Sequence, residues 1–440
     1  MTERDFALIV VRRLQESNFT ALWAGGCVRD ELLGLVPKDY DVATNARPEE
    51  VRKLFPHTVA IGASFGVIEV IGPKQPWGFP TIEVATFRTD MAYSDGRRPD
   101  QVVYSTPEED AQRRDFTING MFFDPAADKL IDYVDGQGDL AAKVLRAIGV
   151  PEQRFTEDKL RLLRGVRIAT RFGLSVEPAT EAAIRKMARE INVVSAERIA
   201  EELRQLLVHP RRAFGMAMLM DYGLADAILP EIMPMRGLPQ GLPHAQTGDL
   251  WDHVLKVLDL LGDEASFSLS MATLLHDVGK PRTVGRTPDR YTFYGHEHVG
   301  ARLADEIAKR LKFSNAERDR ITWLVDRHQY LADAQQMRPS KLKRILAHDG
   351  IRELLALHRA DAVASGHATE HVDYCEVLLA KWTKDDLHPK PLLTGQDLIE
   401  RGHVPGPKFK AILEAVWEAQ LDGTISIVEE AWALVERLFR

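Results

Sequence analysis

The sequence predicts an α+β protein, with a mixed α/β head in the first third of the chain and helices from there to the end. Short β-rich runs alternate with short helices up to about residue 150, and from Pro151 the segments become helical and rich in arginine. No GxGxxG follows any of the early strands, so the head reads as a mixed sheet and not as a dinucleotide-binding Rossmann domain. At 440 residues the chain can hold several cores. We divide it into a head over 1–150, a helical neck over 151–236, a helical metal-binding region over 237–390 and a helical tail over 391–440.

Hydrophobic residues make up 45% and charged residues 28%, the balance of a soluble globular protein. The formal net charge of −8 argues against nucleic acid binding over the whole surface and leaves room for a local basic groove. Cys27 and Cys375 stand far apart with no CxxC, which speaks against a disulfide scaffold or a cysteine zinc site and fits a reducing cytoplasm. No apolar run reaches the roughly 18 residues that cross a bilayer, and Glu3 and Asp5 sit where a signal peptide would be basic. The expectation is a cytoplasmic protein without a membrane partner.

Residues 3–17 pattern as an amphipathic helix with Phe6, Ile9, Val10 and Leu14 on one face. The stretch Thr20–Thr44, TALWAGGCVRDELLGLVPKDYDVAT, then organises the head. Ala21–Ala24 reads as a strand, and Gly25-Gly26 as a turn where backbone N–H groups can approach a phosphate. A short helix, Val28–Leu33, follows with its positive end pointing the same way. Beyond Pro37, Asp39 and Asp41 alternate along a second strand and so share a face. Two carboxylates on one face beside such a turn are what Mg²⁺ needs for nucleotidyl transfer. A polar edge strand after a glycine turn is the plainer reading, and the ordered succession of turn, helix and DxD weighs against it.

Pro48–Phe55 reads as a helix, and Val67–Ile71 and Thr81–Arg88 as strands. Glu83 is either a third metal-facing acid or an outward polar residue of an alternating strand. The loop Asp95–Asp100, with Arg97 and Arg98, either steers phosphate or is a solvated charged tip. In Arg113–Met121, RRDFTINGM, Arg114, Asp115 and Asn119 supply a cation, an acceptor and an amide suited to ribose hydroxyls and triphosphate. An Asp-capped helix entry with surface arginines would look much the same.

In FTEDKLRLLRGVRIATRFG, Thr156 reads as an N-cap with Glu157 and Asp158 in the first turn, which puts Asp158 and Arg161 on one face. The pair either forms part of an ordinary helix-start charge pattern or, side by side, reads the edge of a nucleobase, with Arg164 one turn further on. Ser195 caps a helix whose Ile199, Leu203, Leu206 and Leu207 form an apolar stripe with a packing role.

After a Pro- and Gly-rich linker, Pro230–Pro243, ligand-type side chains recur on predicted helices: His253, His276-Asp277, His296, His298, His328 and Asp361. Imidazole and carboxylate together suit Mn, Fe, Ni, Zn or Mg without selecting among them. His296, His298 and His328 are candidates for a second metal or for substrate contacts. The tail from Pro391 reads as helices separated by Gly402–Pro407.

GGCVRDELLG followed by KDYDVAT resembles the first motif of the class II tRNA nucleotidyltransferase and bacterial poly(A) polymerase family, and the resemblance continues to about residue 236. It implies a polymerase-beta-like head that adds C, C and A to tRNA 3′ ends from CTP and ATP without a nucleic acid template. It implies Asp39 and Asp41 as catalytic Mg²⁺ ligands, and Gly25, Gly26 and Arg29 at the triphosphate. Arg114, Asp115 and Asn119 match the ribose-reading motif, with Gly120 where the family often has Ala. Glu157, Asp158 and Arg161 stand where the family's EDxxR reads the base. The loop at Asp95–Asp100 stands where the family has a flexible loop associated with the switch to adding A. The second half is similar to HD-domain phosphohydrolases, implying His253, His276, Asp277 and Asp361 as core ligands of a divalent transition metal or Mg²⁺. Poly(A) polymerases and enzymes adding only A or only CC share these motifs. A phosphohydrolase with a merely nucleotide-binding head and a simple RNA-binding module are the rivals from other classes.

Overall fold

Thr2 and Asp5 start the first helix by exchanging side-chain and backbone hydrogen bonds, a capping box in front of α1 (Glu3–Glu16). Phe6, Ala7, Val10, Val11 and Leu14 are buried along it, each large one contributing roughly 1.5–3 kcal/mol. Ile9, expected on that face, is 48% exposed, because the apolar stripe runs along its neighbours' side of the helix. The computed structural model describes residues 1–62, 66–76, 78–91, 101–240, 248–288 and 290–439. Its residues cluster into two units, Met1–Met233 and Pro234–Arg440.

In the first unit, β1 (Ala21–Ala24) is buried along its length and leads into α2 (Gly26–Leu32). This helix starts earlier than the predicted Val28, because Gly25 takes the cap position at φ 75°. β2 (Asp41–Thr44), α3 (Pro48–Leu54), β3 (Thr58–Gly62), β4 (Val67–Ile71) and β5 (Thr81–Thr86) follow. The expected strand Thr81–Arg88 breaks at Phe87, whose amide donates to the Thr44 carbonyl at 2.7 Å and whose carbonyl accepts from Ser105 at 2.9 Å. Beyond the break, β6 (Arg88–Met91) and β7 (Gln101–Tyr104) form a separate antiparallel hairpin. Arg97, Arg98 and the rest of Asp95–Asp100 lie outside the described residues.

After α4 (Pro107–Gln112), the strands β8 (Phe122–Asp124) and β9 (Lys129–Ile131) complete a seven-stranded sheet of order β3-β4-β5-β2-β1-β8-β9. The β2–β5 pair is parallel and the other neighbours are antiparallel, so the sheet is mixed, as expected. Leu22, Ala24, Ala43, Phe87, Ala111 and Phe122 form one of its cores.

The neck helices follow α5 (Gly136–Ala141). Here α6 (Pro151–Glu157) ends one residue before Asp158, and α7 (Leu160–Phe172) begins after it. Thr156 therefore lies within α6, and Asp158, at φ −146° and ψ 106°, joins two helices; the predicted first turn at Glu157-Asp158 is not there. α7 buries Leu162, Leu163, Val166 and Ala169 and stops at Gly173 in the left-handed region, φ 66°. Ser195 occupies the cap position of the helix Ala196–Leu207, without a side-chain cap bond, and Ile199, Leu203, Leu206 and Leu207 are buried.

Among its described residues the second unit is helical apart from a two-residue ribbon pairing Gly285–Arg286 with Tyr291–Thr292. Its principal helices are Leu250–Asp259, Phe267–Leu275, His296–Arg310, Asn315–Arg327, Pro339–Leu346, Ile351–Ala364 and Glu370–Lys381. Toward the end, Gly395–Glu400, Pro407–Leu421 and Val428–Leu438 pack around Leu398, Ile412, Val416, Ala431 and Val435. Cys27 and Cys375 are both buried and free. Among the described residues no helix is long and apolar enough to cross a membrane.

Candidate active site and metal centre

β1 carries the chain to Gly25 and β2 begins at Asp41, and the antiparallel register sets Ala24 opposite Asp41. The glycine turn and the acidic pair thus meet at one end of the sheet. There, a cavity of about 440 Å³ is lined by Gly25, Gly26, Arg29, Asp39, Asp41, Arg113, Arg114, Asp115 and Asn119 from the head, and by Arg161, Arg164, Arg167, Ile168, Arg171 and Phe172 from α7. Gly25 is required twice over: its φ is 75°, and a Cβ there would stand 2.9 Å from Arg114 Nη1. Its N–H donates to the Met121 carbonyl at 3.2 Å, so the amides left for a ligand are those of the first turn of α2.

Asp41 is exposed on the cavity side of β2, where the protein around it takes away part of its water. That loss, followed by repulsion from Glu83 and then Asp39, pushes its carboxyl up to about 6. Glu83 is the register partner of Asp41 across the parallel pair, and its own carboxyl is raised by burial, then by Glu69 and Asp39. It stands beside the acidic pair and does not line the cavity.

Acidic side chains brace the arginines of the cavity. Arg29 lies over the Phe172 ring at 4.2 Å, donates to Asp30 Oδ1 through Nε at 2.9 Å and Nη2 at 2.6 Å, and reaches Asn119 Oδ1 through Nη1. Asp115 is buried, which opposes its charge, but Arg164 and Arg161 hold its carboxyl below the usual range. Arg164 Nη1 donates to it at 3.2 Å and Asn119 Nδ2 at 3.1 Å. Arg167 pairs with Glu202, and Arg171 Nη2 lies 3.4 Å from Asp30 Oδ2.

Of the residues expected at the nucleotide, Asp158 does not line the cavity, and neither do Glu157 and Glu83. Arg198 holds Asp158 in a two-pronged pair at 2.7 and 3.1 Å, while Arg161 donates to Glu157 at 2.6 Å. The expected side-by-side pairing of Asp158 and Arg161 fails because the helix breaks between them. Arg113, Arg167, Ile168, Arg171 and Phe172 escaped the sequence reading. All but Arg113 continue the Arg161–Arg164 face at helical spacing, which is the signal that would have found them.

In the second unit the histidines converge on Asp277. His253, His276 and Asp277 form one group able to hold an ion, and Asp277, His296 and His328 form another. Asp361 Oδ1 joins the first group, 3.1 Å from His253 Nε2. His296 and His328 Nε2 atoms are 3.2 Å apart, and 3.2 and 3.6 Å from Asp277 Oδ1. His298, by contrast, is exposed and bonds Asp326 at 2.7 Å; its spacing put it near His296 in sequence but on another side of the helix.

The Nδ1 atoms of His276, His296 and His328 each meet the carbonyl three residues earlier, of Thr273, Phe293 and Val325, at 2.7 Å. An Nδ1–H donating there leaves the Nε2 lone pair for a metal. His276 Nε2 and both Asp277 oxygens are buried without a hydrogen bond of good geometry, although Lys280 Nζ lies 2.6 Å from Asp277 Oδ2. Burial opposes the Asp277 charge, but His276 and Lys280 hold its carboxyl well below the usual range. Orphaned donors of this kind, imidazole and carboxylate together, fit a divalent cation.

The family Poly A polymerase head domain matches residues 21–146, Probable RNA and SrmB- binding site of polymerase A matches 173–235, and HD domain matches 250–365. An A-adding tRNA nucleotidyltransferase of Deinococcus radiodurans is 34% identical over 434 residues, covering 95% of each chain. The chain belongs to the class II tRNA nucleotidyltransferase family. It is an enzyme of the nucleotidyltransferase type with an HD domain appended. Other relatives match over about half of their own length. The CCA-adding enzyme of Bacillus subtilis is 44% identical over 202 residues, 46% of this chain and 49% of that protein. The poly(A) polymerase I of Haemophilus influenzae is 37% identical over 248 residues, 53% of each. Among solved structures, the Bacillus stearothermophilus CCA-adding enzyme in complex with CTP superposes with a TM-score of 0.74 at 26% identity, covering 99% of this chain and 98% of that one.

Proposed function

We propose that the enzyme adds C, C and A to the 3′ end of tRNA without a nucleic acid template, using CTP and ATP and releasing pyrophosphate, in the cytoplasm. The observation that carries this reading is the single cavity in which the glycine turn, the Asp39–Asp41 pair, the RRDFTIN residues and the arginines of α7 meet. Its likeness to the CCA-adding enzymes of two Bacillus species supports the choice of nucleotides.

Asp39 and Asp41 suit Mg²⁺, being hard oxygen donors whose mutual repulsion a cation would offset. When bound, the ion supplies charge stabilisation for the pyrophosphate leaving group and acidifies the attacking 3′-hydroxyl. Glu83 is a further acid in reach of that charge. Gly25 and Gly26 give the phosphates room, and Arg29 and Arg114 neutralise them. Asp115 and Asn119, fixed by each other and by Arg164, serve the ribose. Arg161 and Arg164 face the base, and Asp158 joins them once it leaves Arg198. In the HD domain, His253, His276, Asp277 and Asp361 hold one divalent ion, and Asp277, His296 and His328 a second. The imidazole-rich second group favours a transition metal over Mg²⁺ and supports a phosphohydrolase.

Labelled CTP or ATP supplied with tRNA transcripts ending before CCA, after CC, or lacking a tRNA fold tests the proposal. CTP should enter the first transcript, ATP the second, and neither the third. The end-to-end match to the Deinococcus A-adding enzyme favours a second reading, addition of the terminal A alone. That reading holds if only ATP is incorporated, and only after CC.

A further inference from the structure

Asp110, in the first turn of α4, is 1% exposed and lies outside the cavity lining. Its Oδ1 accepts from Arg113 through Nη2 at 2.6 Å and Nε at 2.9 Å. Its Oδ2 accepts from Arg114 through Nη2 at 3.0 Å and Nε at 3.2 Å. One carboxylate therefore grips two consecutive guanidiniums, each by the same edge. Both arginines line the cavity, and each keeps 20% of its side chain accessible. The grip is anchored to the start of β6: Oδ1 also accepts from the Arg88 amide at 3.3 Å, and Arg113 Nε reaches the Arg88 carbonyl at 3.0 Å.

Two like charges on adjacent residues repel, and on flexible stems they would splay apart or turn to solvent. A shared, buried carboxylate holds them as a fixed pair of cations facing one space. An ordinary structural ion pair needs only one arginine and gains nothing from aiming the second at a cavity. A polyanion with several phosphate oxygens is the ligand that such a pair suits.

We infer that Asp110 is a positioning residue for the triphosphate, acting through Arg113 and Arg114. This rests on the reading of the head as a nucleotide site. An amide at this place offers one acceptor oxygen and no charge, so it can hold one arginine but not both.

The test uses the full chain, its Asp110→Asn and Asp110→Glu variants, and equilibrium binding of CTP and of CMP in the presence of Mg²⁺. The expected result for Asp110→Asn is a loss of about 10- to 100-fold in CTP affinity, with CMP affinity within about twofold of wild type. Asp110→Glu, which keeps the charge but moves it by one methylene, should lose CTP affinity by less and again spare CMP. In incorporation assays the loss should fall on KM more than on kcat. Should Asp110→Asn fail to fold, Asp110→Glu carries the comparison. A residue that only supports the fold would lower the active fraction and leave the CTP-to-CMP affinity ratio of the remaining molecules as in wild type; that result, or equal losses for both ligands, overturns the inference. Wild type that incorporates nucleotides while the ratio is unmoved sinks the role of Asp110 alone. Wild type that binds CTP no better than CMP removes the nucleotide-site reading and this inference together.

Discussion

Asp41 on β2 and Glu83 on β5 stand opposite each other in a parallel strand pair, and Glu83 in turn faces Glu69 on β4. The row gathers negative charge beside the Asp39–Asp41 pair, and the Asp41 carboxyl titrates at about 6 instead of the ordinary 3.8. Incorporation at sub-saturating Mg²⁺ should therefore fall as pH drops, because protons compete with the ion for Asp41, and the limb should move to lower pH as Mg²⁺ is raised. Glu83→Gln removes a repulsive neighbour and should move that limb down by roughly half a unit to one unit. A pH–rate profile with no acid limb, or one that Glu83→Gln leaves in place, counts against this assignment.

The same shift has a consequence for stability without metal. A carboxyl whose folded pKa is raised contributes stability below 3.8 that is lost as pH rises through about 6. Asp41→Asn should thus stabilise the metal-free protein at pH 8, by roughly 1 kcal/mol once solvent screening is allowed for, and change its stability little at pH 4. Calorimetry at the two pH values checks both signs.

Gly25→Ala should cost about 1–2 kcal/mol of backbone strain and push Arg114 aside. We expect at least a tenfold rise in KM for CTP and ATP, measured by incorporation. An alanine enzyme with unchanged KM would mean that the elbow is not a phosphate site.

The strand–elbow–helix–DxD order was legible because glycine, alternation and carboxylate chemistry are all local. Where a side chain goes after a helix break is not local. Nothing around Thr156 announces that α6 ends at Glu157, and the Asp158–Arg198 pair joins residues forty positions apart. The HD ligands were visible one at a time, as His276-Asp277 shows. Their division into two groups around Asp277 depends on helix packing, as does the exclusion of His298.

Arg198→Ala should release Asp158. If Asp158 reads the base together with Arg161, the variant should keep its discrimination between CTP and ATP against UTP and GTP, whereas Asp158→Ala should lose about tenfold of it. Competition between nucleotides in single-addition assays is the measurement. Equal selectivity in all three proteins would leave base choice to Arg161 and Arg164.

Metal analysis of the chain loaded with Mn²⁺ should give two ions in the HD domain. His328→Ala should bind one, and Asp277→Ala neither with high affinity, while all three proteins retain CTP incorporation. Loss of incorporation in Asp277→Ala, in protein that is still folded, would tie the two activities together and contradict their assignment to separate sites.

The carbonyls of Thr273 and Val325, in the last turns of their helices, and of Phe293, in the turn leading into the next, orient the imidazoles at positions 276, 328 and 296. The cradle is thus set by main-chain geometry before any cation arrives. A chelator should empty it without melting the surrounding bundle, unlike a zinc finger, whose fold depends on its ion. Such a centre can be drained and refilled, and its cargo is then set by which ions the surroundings offer.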